Sequence, residues 1–280
     1  MTRRVLSWIS EKLAEGYDVA LATVIDSKGS IPGKPGAKLA MIKNGEKFGT
    51  IGGAGLELKI EKALYELIKR PYRMSTQGGR IENFLLYKNG KGKEVIALDS
   101  LCGGQLTVSL EVINTSPNIL IVGGGHVGKS LASVCDSIGW EYSIFDVRKE
   151  FSNEERFPYA EKSYTSSIPE FLDSEDEKSL SRFSDIFLLG HDWSLDQEIL
   201  IGILSKVKVN QRPRVGCIGS KTKWSAFREA ALNANIPSSV VDSTRCPIGL
   251  GIGAHTPEEI AIAICAEIIA LDAKQPLNND

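Results

Sequence analysis

Gly123-Gly124-Gly125-His126-Val127-Gly128 is the densest chemical signal in the chain. It follows the apolar run 119–122 and opens a helical pattern, and a second apolar run ends at Asp146, 21 residues after Gly125. Strand, glycine loop, helix, strand and acid in this order form a dinucleotide-binding context. Gly123 would permit the tight turn, Gly125 the close approach of backbone to a pyrophosphate, and Gly128 the contact of helix with strand. Asp146 would take the ribose hydroxyls, or Arg148 a 2′-phosphate. Residues 123–130 also satisfy G-x-x-x-x-G-K-S, in which Lys129 would touch the β/γ-phosphates and Ser130 would ligate magnesium. Asp146-Val147-Arg148 at the next strand end favours the dinucleotide reading. Asp192, in the run Leu188-Leu189-Gly190-His191-Asp192, keeps the triphosphate reading open. A third reading is a glycine turn that only lets helix meet sheet.

In an open α/β sheet, ligands bind beyond the carboxyl ends of the strands, so the residues just after each strand belong together. These are Gly125 and His126, Asp146 and Arg148, His191 and Asp192, and Gly219-Ser220-Lys221. His191 beside Asp192 suits acid–base chemistry, since a carboxylate tunes an imidazole near neutral pH; a histidine simply hydrogen-bonded at a strand end fits the same residues. Ser220 before a helix is either an anion seat or an ordinary cap. The three histidines, His126, His191 and His255, show no helical i, i+4 pairing, which argues against a histidine-held metal. Cys246-Pro247-Ile248-Gly249-Leu250-Gly251-Ile252-Gly253 reads as a binding loop, with Cys246 a soft thiolate ligand, a sulfur handler or a buried apolar residue.

These residues need a scaffold. A helix with Val5, Leu6, Ile9 and Leu13 on one face opens the chain and stops at Gly16. Strands are expected at 18–26, 37–43 and 47–51, the last two joined at Asn44-Gly45. Gly52-Gly53-Ala54-Gly55 then opens a helix over 56–70 and presents backbone N–H groups to an anion. Strands at 81–87, 94–98 and 105–113 follow, with Cys102-Gly103-Gly104 before the last. Beyond the polar linker 114–118 the pattern changes to alternating strand and helix: β 119–122, α 126–138, β 141–145, a helix within 168–180, β 185–189, α 195–207, β 214–218, α 222–234. A final, nearly all apolar helix is capped by Thr256, Pro257 and Glu259. The fold class is α/β: an N-terminal mixed α/β domain over 1–113 and a C-terminal Rossmann-like, doubly wound parallel sheet over 119–275.

Composition fits a globular chain of two units: 280 residues, 42% hydrophobic and 24% charged. A net charge of −2 supplies no field for nucleic acid or an anionic membrane, so neither is expected as a partner. Residues 1–115 carry 17 basic and 12 acidic side chains and the remainder 16 and 23, two units with different surfaces. The absence of a spanning segment or a signal-peptide core suggests a cytoplasmic protein. The five cysteines are odd in number and widely spaced, which argues against a disulfide framework.

Taken together, these stretches resemble the xanthine dehydrogenase accessory family, XdhC/CoxI. The first unit carries the likeness in Thr23-Val24, Gly29-Ser30-Ile31-Pro32, Gly49-Thr50-Ile51-Gly52-Gly53 with Leu56-Glu57, and Cys102-Gly103-Gly104. The second adds Gly123-Gly124-Gly125-His126-Val127, Phe145-Asp146-Val147-Arg148, His191-Asp192, Gly219-Ser220 and Arg245-Cys246-Pro247-Ile248-Gly249-Leu250 with Thr256-Pro257-Glu258-Glu259. The resemblance implies a non-catalytic, oligomeric maturation chaperone. Such a protein binds molybdenum cofactor (molybdopterin form), protects it while its terminal sulfur is installed, and hands it to a xanthine dehydrogenase-type molybdoenzyme; a cysteine desulfurase is the implied sulfur-donating partner. It marks Gly52, Gly53, Glu57, Cys102, Gly103 and Gly104, with the Rossmann residues, Ser220 and Cys246, as cofactor-binding candidates, and Cys102 as the molybdenum or sulfur contact. One departure stands out: the family commonly has cysteine where this chain has Gly55. The competing expectation is an NAD(P)-dependent oxidoreductase with His191 and Asp192 catalytic.

Overall fold

The computed structural model describes residues 2–29, 31, 33–69, 79–85, 95–97, 104–209 and 211–273. They form two compact units that divide between Thr115 and Ser116.

In the first unit the described elements are α1 (Thr2–Ala14), β1 (Val19–Gly29), β2 (Lys38–Ile42), β3 (Lys47–Thr50), α2 (Ala54–Ile68), β4 (Arg80–Leu85), β5 (Val95–Ala97) and β6 (Gly104–Ile113). The strands make one sheet in the order β3-β2-β1-β6-β4-β5, antiparallel except for the β4–β5 pair. Side chains alternate across a strand, so β1 serves two cores at once. Ala20, Ala22 and Val24 pack with Leu56, Ile60 and Leu64 of α2, while Val19 and Leu21 pack with Val5 and Ile9 of α1. Leu6, placed by spacing on the same helical face, instead points to solvent at 51% exposure. At the expected Asn44-Gly45 turn, Gly45 takes φ +94° and the Glu46 N–H donates to Asn44 Oδ1 at 2.8 Å, fixing the β2–β3 register.

The second unit contains β7 (Asn118–Val122), α3 (His126–Ile138), β8 (Glu141–Phe145), β9 (Lys162–Tyr164), α4 (Ile168–Ser174), α5 (Glu177–Leu180), β10 (Asp185–Leu188), α6 (Trp193–Leu204), β11 (Arg214–Cys217), α7 (Lys221–Asn233), α8 (Ser238–Asp242) and α9 (Pro257–Asp272). Its sheet is wholly parallel in the order β11-β10-β7-β8-β9, the doubly wound arrangement whose strand order reverses beside β7. Every residue of β7 and β10 is buried, because each face of the sheet is covered. One face packs on Phe171, Leu200, Ile203 and Phe227, the other on Leu131, Cys135, Ile264 and Ile268.

One expectation changes in this unit. The single helix within 168–180 is two, because Glu175 is extended and Asp176 begins a new capping box with Ser179. Glu175 turns inward instead and accepts hydrogen bonds from Tyr164 Oη (2.6 Å) and the Arg182 guanidinium (2.7 and 2.8 Å). Helix α9 starts as expected, with the Thr256–Glu259 capping box and Pro257 in its first turn, and it buries Ala261, Ile264, Cys265 and Ile268. Ile262 and Ile269 face solvent at 53% and 43% exposure. Strand β9 and the short α8 gave no distinct pattern in the sequence. No helix among the described residues is long and apolar enough to cross a membrane.

Candidate functional site

The carboxyl ends of β7, β8 and β10 open into one cleft lined by Val122, Phe145, Val147, Ile168, Leu195 and Ile199, with Gly123, Asp146, Arg148, Gly190, His191, Asp192 and Asp196 around them. Apolar walls with a few convergent polar groups at a topological switch point are the usual form of a nucleotide cleft.

From the glycine loop, Gly123 lines this cleft. Gly123 takes φ +108°, and a Cβ there would lie 2.9 Å from the Gly190 nitrogen. A Cβ on Gly128 would fall 2.1 Å from the Gly123 carbonyl oxygen, so this glycine does set the approach of helix to strand. At Gly125 the same construction meets open space, which leaves the loop's outer side clear. Helix α3 starts at His126 with Gly125 as a cap that lacks a side-chain bond, and the Lys129 N–H makes the bond to the Gly125 carbonyl. The N–H groups ahead of Lys129 therefore precede the helix's own hydrogen bonding and form an anion seat.

This geometry decides against the triphosphate loop. The helix begins three residues before Lys129, and the Ser130 hydroxyl is directed to Glu258 Oε1 (3.2 Å), in a shallow groove with His126, Lys129 and Pro257. His126 is thus a first-turn residue facing that groove.

Asp146 is 5% exposed and fully engaged. Its Oδ1 accepts from the Arg148 N–H (3.0 Å) and Nε (2.9 Å), and its Oδ2 from the Gly124 N–H (3.0 Å) and Arg148 Nη2 (2.8 Å). Burial alone would raise its pKa, but the Arg148 and Gly124 donors outweigh it and hold the carboxyl below its ordinary range. Behind the loop, Arg156 donates to the carbonyls of Gly124 (Nε, 2.9 Å) and Gly125 (Nη2, 3.3 Å). The Phe151 carbonyl occupies the space a Cβ on Gly124 would need. Neither Phe151 nor Arg156 was singled out from sequence, because the segment after the acid carries no spacing signal.

His191 and Asp192 both stand exposed at the cleft mouth. Asp192 Oδ1 accepts the Leu195 N–H at 3.1 Å and caps α6, so its carboxylate is placed by the helix and not by the imidazole. Ser220 likewise caps α7 through the Lys223 N–H at 3.2 Å. Asp196 is the residue missed between them. It lies against Gly190, with Oδ2 2.7 Å from Lys223 Nζ, and burial raises its pKa despite the ammonium. Its only sequence signal is an acid in a helix's first turn.

In the first unit Gly52 and Gly53 take φ of +82° and +83° before α2. Glu57 is spent on that turn: Oε1 accepts from the Thr50 hydroxyl and from the N–H groups of Ile51 (3.1 Å) and Gly52 (3.0 Å). Gly55 has an ordinary helical backbone, and a Cβ there meets nothing within 4 Å. Cys102 and Gly103 lie outside the described residues; Gly104 begins β6, packed so tightly that a Cβ would lie 2.4 Å from Ile31. At the Gly52–Gly55 turn the Ile51 and Gly52 N–H groups are thus already taken by Glu57, and the described residues leave room for a side chain at position 55 but supply no thiol.

Comparison with known proteins matches residues 119–268 to the XdhC Rossmann domain and residues 12–73 to the XdhC and CoxI family. The Escherichia coli protein YqeB is 30% identical over 258 residues, which is 92% of this chain and 44% of that protein. A probable xanthine dehydrogenase subunit of Bacillus subtilis is 28% identical over 160 residues, 57% of this chain and 44% of its own length. The chain therefore spans less than half the length of these relatives. Among solved structures, a crystal structure of a xanthine dehydrogenase from Bacillus halodurans covers 98% of this chain and 97% of its own, at TM-score 0.47 and 19% identity.

Proposed function

The chain belongs to the XdhC and CoxI family, and from that premise we propose that it is an accessory protein that binds molybdenum cofactor and delivers it to a xanthine dehydrogenase-type molybdoenzyme. On this reading the Rossmann unit grips the phosphate or dinucleotide end through the N–H groups of Gly125, His126 and Val127. In the first unit Cys102 is the proposed molybdenum or sulfur contact, and a bound cofactor would supply the molybdenum–sulfur chemistry. A desulfurase partner and self-association belong to the same proposal.

The observation that carries the carrier reading over a nicotinamide oxidoreductase is the state of Asp146. A carboxylate has about four lone-pair sites, and all four here receive donors from Arg148 and Gly124. A ribose diol would have to displace Arg148 to reach it. The N–H groups of Gly125, His126 and Val127 carry no such cost, which supports the holding of a phosphorylated group over the positioning of a nicotinamide for hydride transfer.

The test is metal analysis and pterin extraction on the full chain purified from a host that makes molybdenum cofactor. Molybdenum and pterin in near-equal amounts support the reading; their absence from folded protein, also after Gly55→Cys, overturns it.

A further inference from the structure

Beyond that role, the second unit brings together two thiols that are 29 residues apart in sequence, Cys217 and Cys246. Cys217 ends β11, and the chain returns alongside it. Arg245 N–H donates to the Val215 carbonyl (3.1 Å) and the Cys217 N–H to the Arg245 carbonyl (2.9 Å), a parallel bridge between Gly216 and Arg245. One residue further along that bridge, Cys217 and Cys246 are the next pair. Residues paired across parallel strands point to the same face, and both thiols pack against the same apolar cluster. Both are free thiols on that cluster, and no bond joins them.

The two differ in access and in charge environment. Cys217 is 2% exposed, whereas Cys246 is half-buried and within reach of solvent. Lys223 lies beside them: its aliphatic stem rests against Gly219, whose carbonyl accepts the Cys246 thiol at 3.8 Å. The Cys217 hydrogen bond, and after it the Lys223 ammonium, draw the Cys246 pKa below the ordinary thiol value, while the same sulfur neighbour and burial push Cys217 up. A low-pKa, reachable thiol next to a protonated, sheltered one is the arrangement of an attacking and a resolving cysteine.

We propose that Cys246 and Cys217 form a thiol–disulfide exchange site for small-molecule disulfides, with Cys246 attacking and Cys217 resolving. The Cys246 thiolate attacks one sulfur of R–S–S–R, forming a Cys246–S–S–R bond and releasing one RS⁻. Cys217 then gives up its proton and attacks Cys246 Sγ, closing the Cys217–Cys246 bond and releasing the second RS⁻. Two protein thiols are oxidised, the small disulfide is reduced to two thiols, and both protons leave with them.

The experiment uses the full, reduced chain, incubated with oxidised glutathione, quenched with acid, alkylated and read by intact mass and peptide mapping. Wild type is expected to carry two alkyl groups fewer than a reduced, alkylated control, hold no glutathione and map to a Cys217–Cys246 link. Cys217→Ser is expected to retain one glutathione on Cys246, and Cys217→Ala serves in its place if the serine variant fails to fold. In Cys246→Ser, Cys217 stays reduced. A wild-type protein that keeps glutathione on Cys246, links Cys246 to another cysteine or leaves Cys246 unreacted overturns the proposal.

Discussion

Replacing Asp146 by Asn tests whether this acid holds the loop or waits for a ligand. The two side chains have the same shape, but each carboxylate oxygen receives two donors, from Arg148 on one side and from Gly124 and Arg148 on the other. Whichever way the amide turns, its NH₂ group faces two donors and can accept from neither. Arg148 is about one-third exposed and recovers part of its solvation from water, whereas the Gly124 N–H is buried. Two lost bonds to a charged acceptor at roughly 1.5 kcal/mol each give a cost of about 3 kcal/mol. For a unit of this size that lowers Tm by roughly 6–12 °C. Tryptophan fluorescence during thermal unfolding reads the right unit, since Trp140, Trp193 and Trp224 all belong to it and only Trp8 does not. The folded pKa of Asp146 lies below its ordinary 3.8, so its contribution is complete above that value and is lost as pH falls through the lowered one. The gap between wild type and variant is therefore full at pH 7 and closes in acid. An unchanged Tm without ligand at pH 7 would refute the reasoning and return Asp146 to a free ribose-binding role.

Gly128→Ala places a Cβ against the Gly123 carbonyl at 2.1 Å; a loss of about 2–3 kcal/mol in urea unfolding is expected, and a neutral result would mean the helix can back away. Glu175, whose burial is overcome by Arg182 and Tyr164, is held at about 2 against an ordinary 4.5. Its stabilisation, about 3 kcal/mol, is complete above pH 4.5 and lost as pH falls towards 2, so Glu175→Gln should flatten that limb of an acid-unfolding curve. Gly55→Cys enters open space on a helical backbone and should change stability by less than about 1 kcal/mol, as calorimetry would show. On the carrier reading the same variant raises molybdenum retention.

Much of this architecture was legible because two periodicities carry it. The apolar run at 18–26 announced a strand, and the alternation of strand and helix after residue 118 announced a parallel sheet. The capping box at Thr256 was readable to the residue, since the chemistry of a helix start is local. What stayed hidden depends on long-range partners. That Asp146 is saturated by Arg148, that Glu57 serves its own turn and that Cys217 meets Cys246 follow from how separate segments return beside one another. The break at Glu175 was hidden too, because a buried acid inside a helical pattern reveals itself only when Arg182 and Tyr164 are seen around it.

The Arg156 side chain behind the glycine loop sorts the loop's polarity in advance. Its guanidinium takes the carbonyls of Gly124 and Gly125, so both of these peptides are held from their oxygen side. On the carrier reading, a phosphate would then meet a loop that one arginine already holds in place without any ligand, and the cost of ordering those peptides would be met on folding and not on binding.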